Sequence, residues 1–226
     1  MTPTPERSPN ATPIERQWPP FGLEIMCGPL ALTPVRDDDL AELVEVVLCG
    51  VHDPGAVPFD TLWTTGTPKE VGRRFLQYHW SQRAAMAPEC WNLEMAVRRD
   101  GEIVGCQGIS TRDFTITRTG ETGSWLGRKH HGKGTGTLMR QVICAFMFDF
   151  MGAEQMTSAA FADNPASLAV SRKVGYQGNG AVRLKRRAGE MVLQEKLVLT
   201  PEYFNRPEHD LTVHGVAQLR SFLGLS

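Results

Sequence analysis

His131-Gly132-Lys133-Gly134-Thr135-Gly136 (H-G-K-G-T-G) follows a short apolar run, Ser124-Trp125-Leu126, and leads into an apolar helical stretch that reaches Met151. Glycines at alternate positions let the backbone turn tightly, so that several N–H groups converge on one anion at the positive end of the following helix. The spacing predicts a phosphate cradle suited to a pyrophosphate. Two familiar phosphate loops do not fit. A Walker loop requires G-x-x-x-x-G-K-[ST], whereas Lys133 is followed by Gly134. A dinucleotide fingerprint requires G-x-G-x-x-G in an early βαβ unit, and counting from Gly132 its last position is Thr137.

Beyond the loop, Leu138, Val142, Phe146 and Phe150 form one i, i+4 stripe, with Met139, Ile143 and Met147 beside it. So wide an apolar face predicts a helix packed on a sheet. Residues 156–161 read as a buried strand and 167–174 as a helix for which Asn164 is a candidate N-cap. Residues 176–184 and 191–199 read as a closing antiparallel hairpin. Upstream, residues 30–35 read as a strand, and Asp37, Asp38 and Asp39 as carboxylates opening a helix to Cys49. Pro54, Gly55, Pro58 and Gly66 mark a loop before a helix over residues 69–86. Strands at 93–97 and 103–109 flank Asp100-Gly101, a hairpin dipeptide, and another strand spans 119–126.

With 226 residues, 41% hydrophobic and 22% charged, the chain can bury one sizeable core. A net charge of −1 gives no nucleic-acid footprint, and the basic run at residues 183–187 reads as a solvated strand edge. Five cysteines (27, 49, 90, 106 and 144) have neither C-x-x-C nor metal spacing, which predicts reduced thiols, no metal and a cytoplasmic setting. No apolar run suits a membrane span or a signal core. Six of the fifteen prolines lie in the first twenty residues, so residues 1–21 read as a tail. Residues 201–226 read as a C-terminal appendage that packs on the domain or mediates dimer contacts.

The loop resembles the Q/R-x-x-G-x-G/A element of the GCN5-related N-acetyltransferases (GNAT), with His131 in the Gln/Arg position. Asn164-Pro165-Ala166-Ser167, continued to Gly175-Tyr176, resembles the N-x-x-S…G-F/Y segment of the branch that acetylates ribosomal protein N-termini. Residues 120–127 (G-E-T-G-S-W-L-G) look like the strand that precedes the loop in that branch. The ordered matches imply an α+β fold over residues 22–200: a mixed, mostly antiparallel sheet with flanking helices and a splayed acyl-CoA cleft. They imply acetyl-CoA or another acyl-CoA as co-substrate, a primary amine of a protein N-terminus, a lysine or a small molecule as acceptor, and a homodimer. Succinyl-CoA as donor stays open, as does a non-catalytic acyl-CoA sensor.

Attack of an amine on a thioester needs a base for the amine, a donor for the oxyanion and a proton for the leaving thiolate. The resemblance implies that Trp125, Leu126 and Gly127 hold the pantetheine arm, with His131, Gly132, Lys133, Gly134, Thr135, Gly136 and Thr137 around the pyrophosphate. It makes Ser167 the candidate leaving-group acid, or alternatively a helix-terminal hydroxyl that bonds backbone or CoA. Asn164 caps that helix or binds the arm. Glu121 is the candidate base, acting through water, although a carboxylate at a strand start is more often simply solvated. His52 and Asp53 are the rival pair, and Phe59, Trp63 and Trp91 are candidate walls of the acceptor pocket.

Overall fold

The computed structural model describes residues 12–56, 58–59 and 61–225. Most of the expected tail, residues 1–11, lies outside them, as does Ser226. The rest of that expectation is corrected. Thr12 caps α1 (Pro13–Gln17) in a reciprocal capping box with Glu15, and Pro19 and Pro20 open a 3-10 turn. Proline is tolerated in the first turn of a helix, so proline density there does not exclude order.

Asp100 and Gly101 both adopt positive φ, 52° and 85°, as a two-residue hairpin turn demands. They join β3 (Cys90–Arg99) to β4 (Glu102–Arg112), and β5 (Thr119–Leu126) continues the antiparallel pairing. Before them, β1 (Glu24–Cys27) and β2 (Leu30–Pro34) form a hairpin of which only the second strand is legible in the sequence. β6 (Gln155–Phe161) runs parallel to β5, and β7 (Gln177–Arg187) and β8 (Glu190–Leu199) close the sheet. The order is β7-β8-β6-β5-β4-β3-β2-β1-β9.

The last strand, β9 (Thr212–His214), pairs with β1 and is followed by α7 (Val216–Phe222). Leu219, Leu223 and Leu225 are buried in the main core, and Trp18 meets Phe222 edge-on at 5.1 Å. The expected appendage at residues 201–226 is thus an edge strand and helix of the same sheet. A three-residue strand is too short to show a period-2 pattern.

Helices α2 (Asp37–Leu48) and α3 (Pro68–Ala84) cover one face of the sheet, with Leu40, Leu43 and Phe75 packed near Ala96 and Cys106. The opposite face carries α5 (Thr135–Phe146), whose Met139, Ile143 and Phe146 share a core with Met95 and Ile109. A four-residue turn, α4 (Phe114–Thr117), precedes β5, and α6 (Pro165–Val174) links β6 to β7.

Candidate active site

β5 and β6 pair only from Thr119 and Gln155 to Thr122 and Ser158. β5 runs on to Leu126 and β6 to Phe161, so beyond Thr122 the β5 edge facing β6 has no strand partner. A cleft of ≈ 670 Å³ opens in this fork, within the range of small-molecule sites. The glycine loop and the start of α6 line one side, and the loop between α2 and α3 lines the other.

Gly132 and Gly134 hold φ of 72° and 77°, and a Cβ added at either would meet nothing within 4 Å. Both conditions suit a backbone cradle that a ligand can approach closely. Gly134 is the N-cap of α5, so free N–H groups and the helix dipole point into the same space. His131 turns back, its Nε2 bonding the Leu126 carbonyl at 3.0 Å, which ties the loop to β5. Arg99 binds the loop from the other side through Thr135 Oγ1 at 2.7 Å and the Lys133 carbonyl at 3.3 Å.

Of the residues expected around the donor, Trp125, Leu126, His131, Gly132, Gly134, Gly136 and Thr137 line the cleft. Lys133, Thr135 and Gly127 are not among the lining residues. Thr135 is buried against Arg99, and Gly127 donates its N–H to the Val104 carbonyl at 2.9 Å. A Cβ on Gly127 would come within 2.7 Å of Val46 Cγ1, so this glycine allows close packing of α2 on the strand end.

Opposite the loop, Asn164 and Ser167 line the cleft at the start of α6, and Asn164 Oδ1 accepts the Ser167 N–H at 3.1 Å. Asn164 is therefore the helix cap, which leaves the Ser167 hydroxyl unengaged by that bond. Lys173 and Arg187 add cations to the mouth. His130 also lines the cleft, and burial holds its imidazole below the ordinary histidine range, hence neutral at pH 7. Tyr176 is buried, bonding Thr122 Oγ1 at 2.9 Å and Cys144 Sγ at 3.4 Å. Burial raises its phenol pKa and pushes the Cys144 thiol up to about 11, so both keep their protons.

On the far side, His52, Asp53 and Phe59 line the cleft. Both nitrogens of His52 are engaged within the loop, with the Asp53 carbonyl and with Thr64 Oγ1, each at 2.9 Å. The pair thus shapes the loop and forms no imidazole–carboxylate relay. Trp63 stands behind Phe59 and Trp125, at ring separations of 5.0 and 5.9 Å, and stiffens that wall. Trp91 is not a wall: it is 2% exposed and packs edge-on against Phe114 at 5.5 Å. It shares the core-facing side of β3 with Leu93 and Met95, and strand alternation put it there.

Glu121 is exposed, in the paired stretch of β5 before the fork, and is not among the residues lining the cleft. Sequence reasoning missed Glu94, which, like Glu121, is not among the residues lining the cleft and instead borders a small separate pocket beside Trp18 and His79. In register, Glu94 on β3 faces Gly108 on β4, which faces Gly123 on β5, the first residue past the last β5–β6 pair. The Glu94 carboxylate lies over Gly108, where an added Cβ would be 2.8 Å from Oε1 and 3.0 Å from Oε2. A Cβ on Gly123 would meet nothing within 4 Å, so the glycine floor beside the fork is open. Tyr78 donates its hydroxyl to Glu94 Oε1 at 2.7 Å. Burial raises the carboxyl pKa against the lowering effect of Tyr78 and Asn92. No pattern within β3 signals this group, because its setting is made by glycines on two other strands.

A split sheet with a glycine cradle at a helix start is suited to a phosphate-bearing ligand lying in the gap. Residues 30–177 match the acetyltransferase (GNAT) domain family, so the chain belongs to that family. Its general activity is that of an N-acyltransferase, moving an acyl group from CoA to an amine.

Solved structures share the fold. Mycobacterium smegmatis RimJ in complex with a CoA disulfide superposes with a TM-score of 0.66 at 19% identity, covering 89% of this chain and 93% of that one. A Salmonella typhimurium acetyltransferase described as modifying the N-terminal serine of a 50S ribosomal subunit protein gives 0.60 at 15% identity, covering 76% and 94%. A spermidine N-acetyltransferase chimera from Vibrio cholerae gives 0.61 at 14%, covering 79% and 99%. The ribosomal-protein branch that the sequence resembles is thus represented among the neighbours. Among the described residues, no helix is long and apolar enough to cross a membrane, and no three or more His, Cys, Asp or Glu side chains are grouped so as to hold a metal ion.

Proposed function

We propose that this chain transfers an acetyl or longer acyl group from CoA to a primary amine, with the donor on the α5–α6 side of the fork and the amine on the α2–α3 side. The observation that supports it most is the arrangement across β5. A cradle built on Gly132 and Gly134 opens into the cleft, and the half-buried Glu94 carboxylate borders the glycine floor on the α2–α3 face of the sheet. Acyl-CoA supplies an acyl group already activated as a thioester.

The residues divide the remaining work. The loop amides and the α5 dipole hold pyrophosphate, while the unpaired β5 edge offers peptide groups to the pantetheine arm. Glu94, less acidic than a free carboxyl, takes the proton from the amine directly or through one water. The Ser167 hydroxyl gives a proton to the departing sulfur. An N–H of the β5 edge beyond Thr122 faces the oxyanion. In balance, the amine exchanges a proton for the acyl group and the sulfur gains a proton.

The aromatic wall and the carboxylates Glu94 and Glu121 on one sheet face favour a cationic amine: a protein N-terminus, a lysine or a small polyamine. Succinyl-CoA remains within this reading as a donor. A cytoplasmic homodimer is part of the proposal, supported by Met191 and Leu193, both exposed on the last hairpin.

The test is turnover. Acyl-CoA is incubated with a peptide bearing a free N-terminus, an N-blocked lysine peptide, or a polyamine, following thiol release and product mass. Amine-dependent thiol release with acylated product is expected from at least one acceptor class. CoA binding without release above hydrolysis for every class would overturn the reading in favour of a sensor.

A further inference from the structure

The inner end of the cleft is polar and positively charged. Arg140 projects from α5 into the fork, lines the cleft and is only 4% exposed. Its Nη2 donates to Ser124 Oγ at 2.9 Å and its Nη1 to Ser158 Oγ at 3.2 Å. Ser158 belongs to the last β5–β6 pair and Ser124 lies just beyond it, so the guanidinium spans the base of the fork. Its Nε is buried with no hydrogen-bond partner, and among the described residues no carboxylate lies within ion-pair distance.

A buried guanidinium held only by neutral hydroxyls has lost its hydration without gaining a counter-charge. Such a group in the wall of a ligand cleft is poised for an anion. Its planar fork matches a carboxylate better than a point charge would. An acetyl methyl at this position would meet polar atoms, whereas a chain ending in a carboxylate would supply the missing partner.

We propose that Arg140, with Ser124, forms a subsite for the terminal carboxylate of a dicarboxylic acyl donor, such as succinyl-CoA, while Ser158, outside the cleft lining, anchors the guanidinium from behind. The assignment rests on the reading that the CoA thioester lies in this cleft. Arg140 acts as a specificity residue: it fixes the far end of the acyl chain and takes no proton.

Calorimetric titration of the full chain with CoA, butyryl-CoA and succinyl-CoA tests it, because the two thioesters match in chain length and differ in the carboxylate. Wild-type protein is expected to bind succinyl-CoA at least about tenfold more tightly than butyryl-CoA, the scale of one charge-assisted hydrogen bond. Arg140→Met should erase that ratio while CoA affinity, which also reports folding, is unchanged. Arg140→Lys should keep part of it. Equal wild-type affinities would overturn the subsite, and so would an equal loss for all three ligands in Arg140→Met, which would place Arg140 on the pantetheine arm. If the Met variant fails to fold, the wild-type ratio alone decides. Absence of CoA binding itself would overturn the acyltransferase reading as well.

Discussion

Replacing Gly134 by Asp and, separately, by Asn isolates the electrostatics of the phosphate cradle. Gly134 has φ of 77° with open space at the Cβ position. Asn and Asp are the non-glycine residues that best tolerate this left-handed conformation, and they are nearly isosteric. Both are also good N-caps, and Gly134 is the N-cap of α5. The Asp protein should therefore be as stable as the Asn protein, or slightly more so because its charge faces the helix dipole. Affinity for CoA should move the other way. A carboxylate about 5 Å from a phosphate charge, at an effective dielectric between about 20 and 80, costs about 1–3 kcal/mol, a loss of about fivefold to 150-fold. Titration calorimetry gives the two affinities and thermal melts the two stabilities. Equal CoA affinities would refute the placement of pyrophosphate on this loop, and parallel losses of stability and affinity would mean that the loop merely misfolded.

Ser167→Ala should lower turnover by about 10²-fold while CoA affinity stays near the wild-type value, and equal losses in both would make Ser167 a binding residue. Glu94→Gln should cut turnover by about a hundredfold or more and remove the acid limb of the pH–rate profile, which wild-type enzyme shows as pH falls through the raised carboxyl pKa. Stability carries the opposite sign. Burial raises Glu94 above its unfolded value, so its contribution is fully present below the unfolded pKa and is lost as pH rises through the folded one. The Gln protein should thus melt higher than wild type at neutral pH, and a lower melting temperature would contradict the raised pKa. Gly175→Ala should destabilise by about 3 kcal/mol in denaturant titrations, because φ is 107° and the new Cβ would lie 1.9 Å from the Tyr203 carbonyl oxygen. An unchanged midpoint would show that the chain after β8 shifts freely.

Local signals in the sequence carried far where they were themselves local. Asp100-Gly101 specified its hairpin, the H-G-K-G-T-G run its loop, and the apolar stripes of α5 their helix, since each depends on neighbours a few residues apart. β1, β9 and α7 escaped because they are short and draw their stability from pairing between the two ends of the chain. Trp91 looked like pocket aromatic surface because composition does not say which side of a strand faces the core. Two groups, one beside the site and one within it, were hidden for different reasons. Glu94 acquires its setting from glycines on adjacent strands, which no local pattern encodes. Arg140 left a trace: it falls midway between Gly136 and Cys144 at i, i+4 spacing, a charge on the stripe that joins the loop to the core. A buried polar group in such a stripe calls for a partner.

The most direct test of the central claim is hydrogen exchange of the full chain with and without CoA. The account predicts slower exchange at residues 131–137 and at the start of α6, with β9 and α7 unchanged. Unaltered exchange at the glycine loop, or protection confined to another part of the sheet, would contradict a donor site in the fork between β5 and β6.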